Sequence, residues 1–185
     1  MATELEQLAA ENDLLRARVR ALEEKINFLG QHATLSAGIK GETLAARFTG
    51  GTTTPHTMPH DIAASGETIE VKYAKLSRPV QGRPTLRWQW NKIYGERGGK
   101  AYTSLLLIGE ADPRFREDYL DPDSPYVLFL IPFSEARSLC IKGNPLMMTL
   151  SSNPAASRGS SASLWTRWQT TVTQVEERYG VPLLT

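Results

Sequence analysis

A seven-residue repeat dominates the first thirty residues. Leu5, Asn12, Val19 and Ile26 share one position of the repeat, and Leu8, Leu15, Leu22 and Leu29 follow three residues behind them. A stripe recurring every 3.5 residues is narrower than the face a surface helix lays on its own core, and it matches the a/d seam of a coiled coil. β-Branched residues at a with Leu at d favour parallel dimers, and a single Asn at a holds register and two-strandedness at some cost in stability. Glu11 meets Arg16 of a partner helix and Arg18 meets Glu23, so both central cross-pairs attract. Gly30 is expected to end the helix. Residues 1–30 are therefore expected to form a parallel coiled-coil homodimerisation helix, with residues 31–185 as one further domain. No basic region precedes the repeat, so the helix is expected to join chains rather than read DNA.

The 185 residues suffice for one core-bearing domain with such an appendage. No run of 18 apolar residues occurs, so no membrane span is expected. The charged, heptad-patterned start is unlike a secretory leader, and the single cysteine, Cys140, suits a reducing compartment. Both point to a cytoplasmic protein. Beyond the repeat, a helix is expected over 36–48, turns over 49–59, and paired strands at 61–62 and 68–73. A helix is expected within 75–100, with Leu86, Trp90 and Ile93 on one face. The apolar runs 103–108 and 126–131 read as buried strands, 146–150 as an edge strand, and 151–163 as a loop. A last helix places Leu164, Trp168, Val172, Val175 and Tyr179 on one face and stops at Gly180. The alternation of elements predicts an α/β layered fold.

The chemistry is concentrated around one expected hairpin. With Ser65-Gly66 as a two-residue loop, Ala64 opposes Glu67, Ile62 opposes Ile69, and Asp61 opposes Glu70. Opposed residues share a face, as do Glu70 and Lys72 two apart, whereas Ile69 and Val71 point into the core. Two carboxylates set opposite each other repel unless a cation neutralises them, and carboxylate oxygens are ligands that Mg²⁺ prefers. Such an ion activates water and stabilises charge on a phosphodiester, and a neighbouring lysine orients that water. The pattern points to metal-assisted phosphodiester hydrolysis.

Asp61-(x8)-Glu70-Val71-Lys72 resembles the core motif of the PD-(D/E)XK nuclease superfamily, and Gly41-Glu42 on the preceding helix resembles the extra acidic residue of many members. The arrangement is particularly similar to type II restriction enzymes and mismatch-repair nickases. It departs from the motif in having His60 directly before Asp61. The resemblance implies a restriction-endonuclease-like fold, a mixed central sheet flanked by helices. It also implies that Asp61, Glu70 and the Val71 carbonyl hold Mg²⁺ (with Mn²⁺ as a substitute), that Lys72 positions the attacking water, and that Glu42 is a further ligand or supporting acid.

Near-neutral overall charge conceals an uneven distribution. Between Val71 and Thr103 eight Lys/Arg face one acid, Glu96, for a net +7, whereas residues 110–123 carry a net −4. A basic stretch beside the site suits double-stranded DNA. Lys75 and Arg78 are expected on phosphates; Arg87, Gln89 and Asn91 have the chemistry to read base edges, and Arg83 and Lys92 add charge. Trp90 is expected in the core, Cys140 buried rather than nucleophilic, and 157–161 a mobile connector. His56 and His60 flank Pro59, which excludes a helical zinc pair. The resulting expectation is a homodimeric, Mg²⁺-dependent type II restriction endonuclease. The alternatives are a repair or recombination nuclease, or a non-enzymatic dimeric DNA-binding protein.

Overall fold

The structure, a computed structural model, describes residues 4–55, 57–77, 86–95, 99–141 and 146–182. The chain divides into two compact units, Met1–Ser36 and Ala37–Thr185. In the first, helix α1 (Glu4–Gln31) runs one residue past Gly30. Leu8, Leu15, Val19, Leu22 and Ile26 are each more than half exposed, so the aliphatic seam finds no cover on its own helix.

The second unit is a mixed α/β domain. Helix α2 (Ala33–Thr49) is followed by strands β1 (Thr52–Thr53), β2 (Ile62–Ala64) and β3 (Glu67–Ala74). Then come β4 (Arg87–Trp90), β5 (Ser104–Glu110), β6 (Tyr126–Pro132), helix α3 (Phe133–Leu139) and β7 (Met148–Ser151). A short helix α4 (Ser160–Ser163) leads to β8 (Gln169–Thr170) and helix α5 (Val172–Tyr179). Six strands form one sheet in the order β1-β2-β3-β5-β6-β8; β3 and β5 are parallel and the other neighbours antiparallel. β5 is buried from Ser104 to Gly109 and β6 at Val127, Leu128, Phe129 and Ile131, as central apolar strands require.

Each face of the sheet has its own core. Ile69, Val71, Leu106, Ile108 and Leu128 pack with Ala45 and Phe48 of α2 and Val175 and Tyr179 of α5. α2 comes in close at Gly41, where a Cβ would lie 2.8 Å from Tyr73 Cβ. On the other face, Leu105, Leu107, Val127, Phe129 and Ile131 pack with Trp88, Trp90, Met148, Leu150 and Leu164.

Several expected elements differ, among them the turns expected over 49–59, which contain strand β1. The segment 87–90 is a strand, not part of a helix, and it pairs with β7 in a separate two-stranded sheet. Trp88 and Trp90 alternate with Arg87 and Gln89, and both indoles are buried, 0% and 1% exposed, so the period is two. Their indole N–H groups donate to the Glu110 and Ile108 carbonyls at 2.9 and 3.2 Å. The strand expected at 146–150 accordingly lies in this ribbon rather than at the edge of the main sheet. The expected last helix is also broken. Leu164–Trp168 forms a turn of π-helix, Gln169–Thr170 joins the sheet beside β6, and α5 begins only after Thr171. Thr171 and Gln174 form a reciprocal capping box that starts a helix there, while Gly180 at φ +71° ends it as expected. Finally, the segment expected as a mobile connector is tied down. Ser157 is buried, Arg158 Nη1 donates to the Ala155 and Ser157 carbonyls, and Trp165 Nε1 donates to Ser157 Oγ at 2.9 Å.

Candidate functional site

The β2–β3 hairpin keeps the expected register at Ile62–Ile69 and Ala64–Glu67, with Ala63 opposite Thr68, but the expected ladder pair Asp61–Glu70 is not formed because β2 does not extend to Asp61. Ser65 and Gly66 both take positive φ, +47° and +79°, as a two-residue turn with two left-handed central residues demands. β2 stops at Ile62, and the chain continues along the edge of β3 through Asp61, whose N–H donates to the Ile69 carbonyl at 3.0 Å. The next outward N–H of β3, that of Val71, would lack a partner; Asp61 Oδ2 accepts it at 2.8 Å. One backbone amide thus aims the Asp61 carboxylate at the strand carrying Glu70 and Lys72.

Glu70 and Lys72 project from the face of β3 opposite α2. The Glu70 side chain is fully buried, and Lys72 Nζ lies 2.5 Å from Glu70 Oε1. A fourth charged group completes the cluster. Lys100 Nζ lies 2.7 Å from both Glu70 carboxylate oxygens and 3.4 Å from Asp61 Oδ1. Burial pushes the Glu70 carboxyl above its ordinary range; the Lys72 ammonium opposes this and the Asp61 charge adds to it. Burial acts to lower Lys100, but its bonds to Glu70 and the charges of Glu70 and Asp61 win, and its ammonium is held above the ordinary lysine value. Lys100 was not legible as a site residue. It lies 30 residues beyond Glu70 in a segment without periodic pattern, and only the parallel pairing of β3 with β5 brings the start of β5 beside the hairpin.

The donor set fits a hard cation. In an extended strand a residue's N–H and C=O leave on the same side, so the Val71 carbonyl faces the edge at which its N–H meets Asp61. Asp61, Glu70 and that carbonyl are an all-oxygen set of the kind Mg²⁺ takes. Among the described residues no three His, Cys, Asp or Glu side chains form a group able to hold a metal, so the set rests on two carboxylates and a backbone oxygen. Glu42 is half-buried on α2, directly after the close-packed Gly41.

The basic segment is spread over several elements. Lys75 is exposed immediately after β3, and Arg87 lies half-buried on β4. Gln89 and Asn91 are exposed and joined by a 3.1 Å side-chain hydrogen bond; Lys92 is exposed at φ +56°. Arg78, Arg83 and His56 lie outside the described residues. His60 is buried, and its backbone carbonyl accepts from Thr54 Oγ1. Cys140 is half-buried rather than fully buried as expected, and its partial burial raises the thiol pKa.

Comparison with known protein families and with curated proteins returns no match for this chain. Among the described residues no helix is long and apolar enough to cross a membrane.

Proposed function

We propose that the chain is a Mg²⁺-dependent, homodimeric DNA endonuclease of the type II restriction kind, with a restriction-endonuclease-like catalytic domain. The observation that carries this reading is the convergence of Asp61, Glu70 and Lys72 from one hairpin, with the Val71 backbone turned to the same edge. Asp61, Glu70 and the Val71 carbonyl would hold Mg²⁺, which would supply positive charge to the scissile phosphate and lower the pKa of a nearby water. Lys72, beside Glu70, is placed to orient that water and offset negative charge on the phosphate. The exposed Lys75, with the rest of the basic segment, supports a polyanionic duplex as substrate.

The uncovered seam of α1 supports a dimer. Five aliphatic residues more than half exposed on one helix are stabilised by a second copy, and Asn12 with the complementary Glu11–Arg16 and Arg18–Glu23 pairs favours a parallel pair. A twofold dimer of nucleases matches the symmetry of a near-palindromic site, so that each protomer cuts one strand.

The test is incubation of the purified protein with large, unmethylated phage DNA and Mg²⁺, alongside Asp61→Ala and Lys72→Ala. The wild type yields a discrete fragment ladder, each variant loses about 100-fold or more in rate, and Ca²⁺ permits binding with little hydrolysis. Equal cleavage by all three proteins overturns the site. Cutting confined to junctions or mismatches reassigns the enzyme to repair, and binding without cleavage reassigns the chain to a DNA-binding role.

A further inference from the structure

Lys100 stands where a cation shared by the two carboxylates would stand. Its Nζ bridges Glu70, at 2.7 Å to each oxygen, and Asp61, at 3.4 Å, whereas Lys72 pairs with Glu70 and is not within ion-pair distance of Asp61. Two ammonium groups and two carboxylates already balance in charge. A divalent cation added to all four leaves a net excess of two positive charges around a fully buried carboxylate, an arrangement that close-range repulsion in a poorly solvated site disfavours strongly. One ammonium must leave, and the bridging one occupies the required space. Its withdrawal moves a side chain and breaks no strand. The Lys100 backbone N–H is anchored to the Tyr94 carbonyl at 3.0 Å, and the residue lies between Gly95 and the start of β5, with its side chain 26% exposed. Gly95, at φ +77°, leaves room for the lysine stem, since a Cβ there would lie 3.0 Å from Lys100 Cγ.

We infer that Lys100 is a resident counter-cation that holds Asp61 and Glu70 together in the metal-free protein and is displaced when a divalent cation binds, so that it sets the cation concentration the site requires. The inference rests on the reading of Asp61 and Glu70 as the metal-holding pair. Lys100 is a positioning residue in this role, and its effect is read from cation binding without DNA.

The experiment is calorimetric titration of the full chain with Ca²⁺, comparing wild type with Lys100→Met, Lys72→Met and Asp61→Asn. Lys100→Met is expected to bind Ca²⁺ about tenfold tighter than wild type, the equivalent of one ion pair no longer to be broken. Lys72→Met gains less, and Asp61→Asn loses binding. Unchanged or weaker binding by Lys100→Met, or an equal gain in Lys72→Met, overturns the counter-cation role and leaves the metal site standing. No Ca²⁺ binding by wild type or Lys100→Met overturns both. Should Lys100→Met fail to fold, the wild type answers alone through amine acetylation followed by mass spectrometry. Ca²⁺ raises labelling at Lys100 severalfold if the ammonium is displaced, and unchanged labelling overturns the inference.

Discussion

Asp61 and Asp112 show how differently one residue type is used in this fold. Asp61 caps the open edge of β3 with one oxygen and turns the other toward Lys100. Asp112 is 1% exposed and fully employed: it accepts from Arg114 N and Nε at 3.1 and 3.0 Å, from Arg114 Nη2 at 2.7 Å, and from Ser152 Oγ at 2.7 Å. These bonds, with the Arg114 guanidinium foremost, lower its pKa from 3.8 to about 2. The folded value is depressed, so the unfolded chain binds more protons between these limits. The contribution of Asp112 is therefore complete above about pH 4 and fades as pH falls toward 2. Denaturant melts from pH 7 to pH 2 are expected to show this loss in the wild type. Asp112→Asn is expected to be less stable at pH 7 by about 2 kcal/mol, the cost of weakening a buried charge-assisted network, and to show a shallower decline in acid.

At the level of elements, the β2–β3 hairpin was readable because both of its determinants are local. A two-residue turn containing Gly sets the pairing, and the alternation of Ile69 and Val71 with Glu70 and Lys72 sets the faces. The segment 87–90 was not readable as a strand. Leu86, Trp90 and Ile93 satisfy helical spacing by coincidence, and the partner that makes it a strand, β7, lies some sixty residues away. The tertiary fit around its indoles is tight. A Cβ on Gly109 of β5 would lie 2.6 Å from Trp88 Cε2. Gly109→Ala is thus expected to destabilise the domain by about 1–3 kcal/mol through overpacking, measured as a lower denaturation midpoint, with altered tryptophan fluorescence because Trp88 must shift. The last helix failed for a related reason. Leu164 and Trp168 continue the helical spacing of Val172, Val175 and Tyr179, yet Leu164 belongs to the core on one face of the sheet while Val175 and Tyr179 belong to the other. The Thr171–Gln174 capping box was the local signal of that break.

For the molecule as a whole, function under the proposed reading needs two chains, because one active site cuts one strand. The described seam residues Leu8, Leu15, Val19, Leu22 and Ile26 are each more than half exposed, so changing two of them tests association apart from folding. Leu15→Asp with Leu22→Asp is expected to yield monomers by sedimentation velocity with melting of the Ala37–Thr185 unit unchanged. Double-strand cutting is expected to fall more than nicking. A double variant that stays dimeric removes the coiled coil from the mechanism. Under the same reading, Asn12→Val is expected to raise thermal stability of the assembly and to admit states other than the dimer, since an amide enclosed in a dimer seam would disfavour them.

Sequence alone determined whatever depends on near neighbours along the chain: the heptad seam, the Ser65-Gly66 turn, the common face of Glu70 and Lys72, the two buried central strands, and the helix stop at Gly180. Helical and strand periodicities and turn geometry act over a few residues, so their signatures are written locally. Tertiary structure alone decided which strands pair beyond the β2–β3 hairpin, the division of the aromatic residues between two cores, and the arrival of Lys100 between Asp61 and Glu70. Those outcomes depend on contacts between residues tens of positions apart, for which the order of side chains along the chain carries no spatial code.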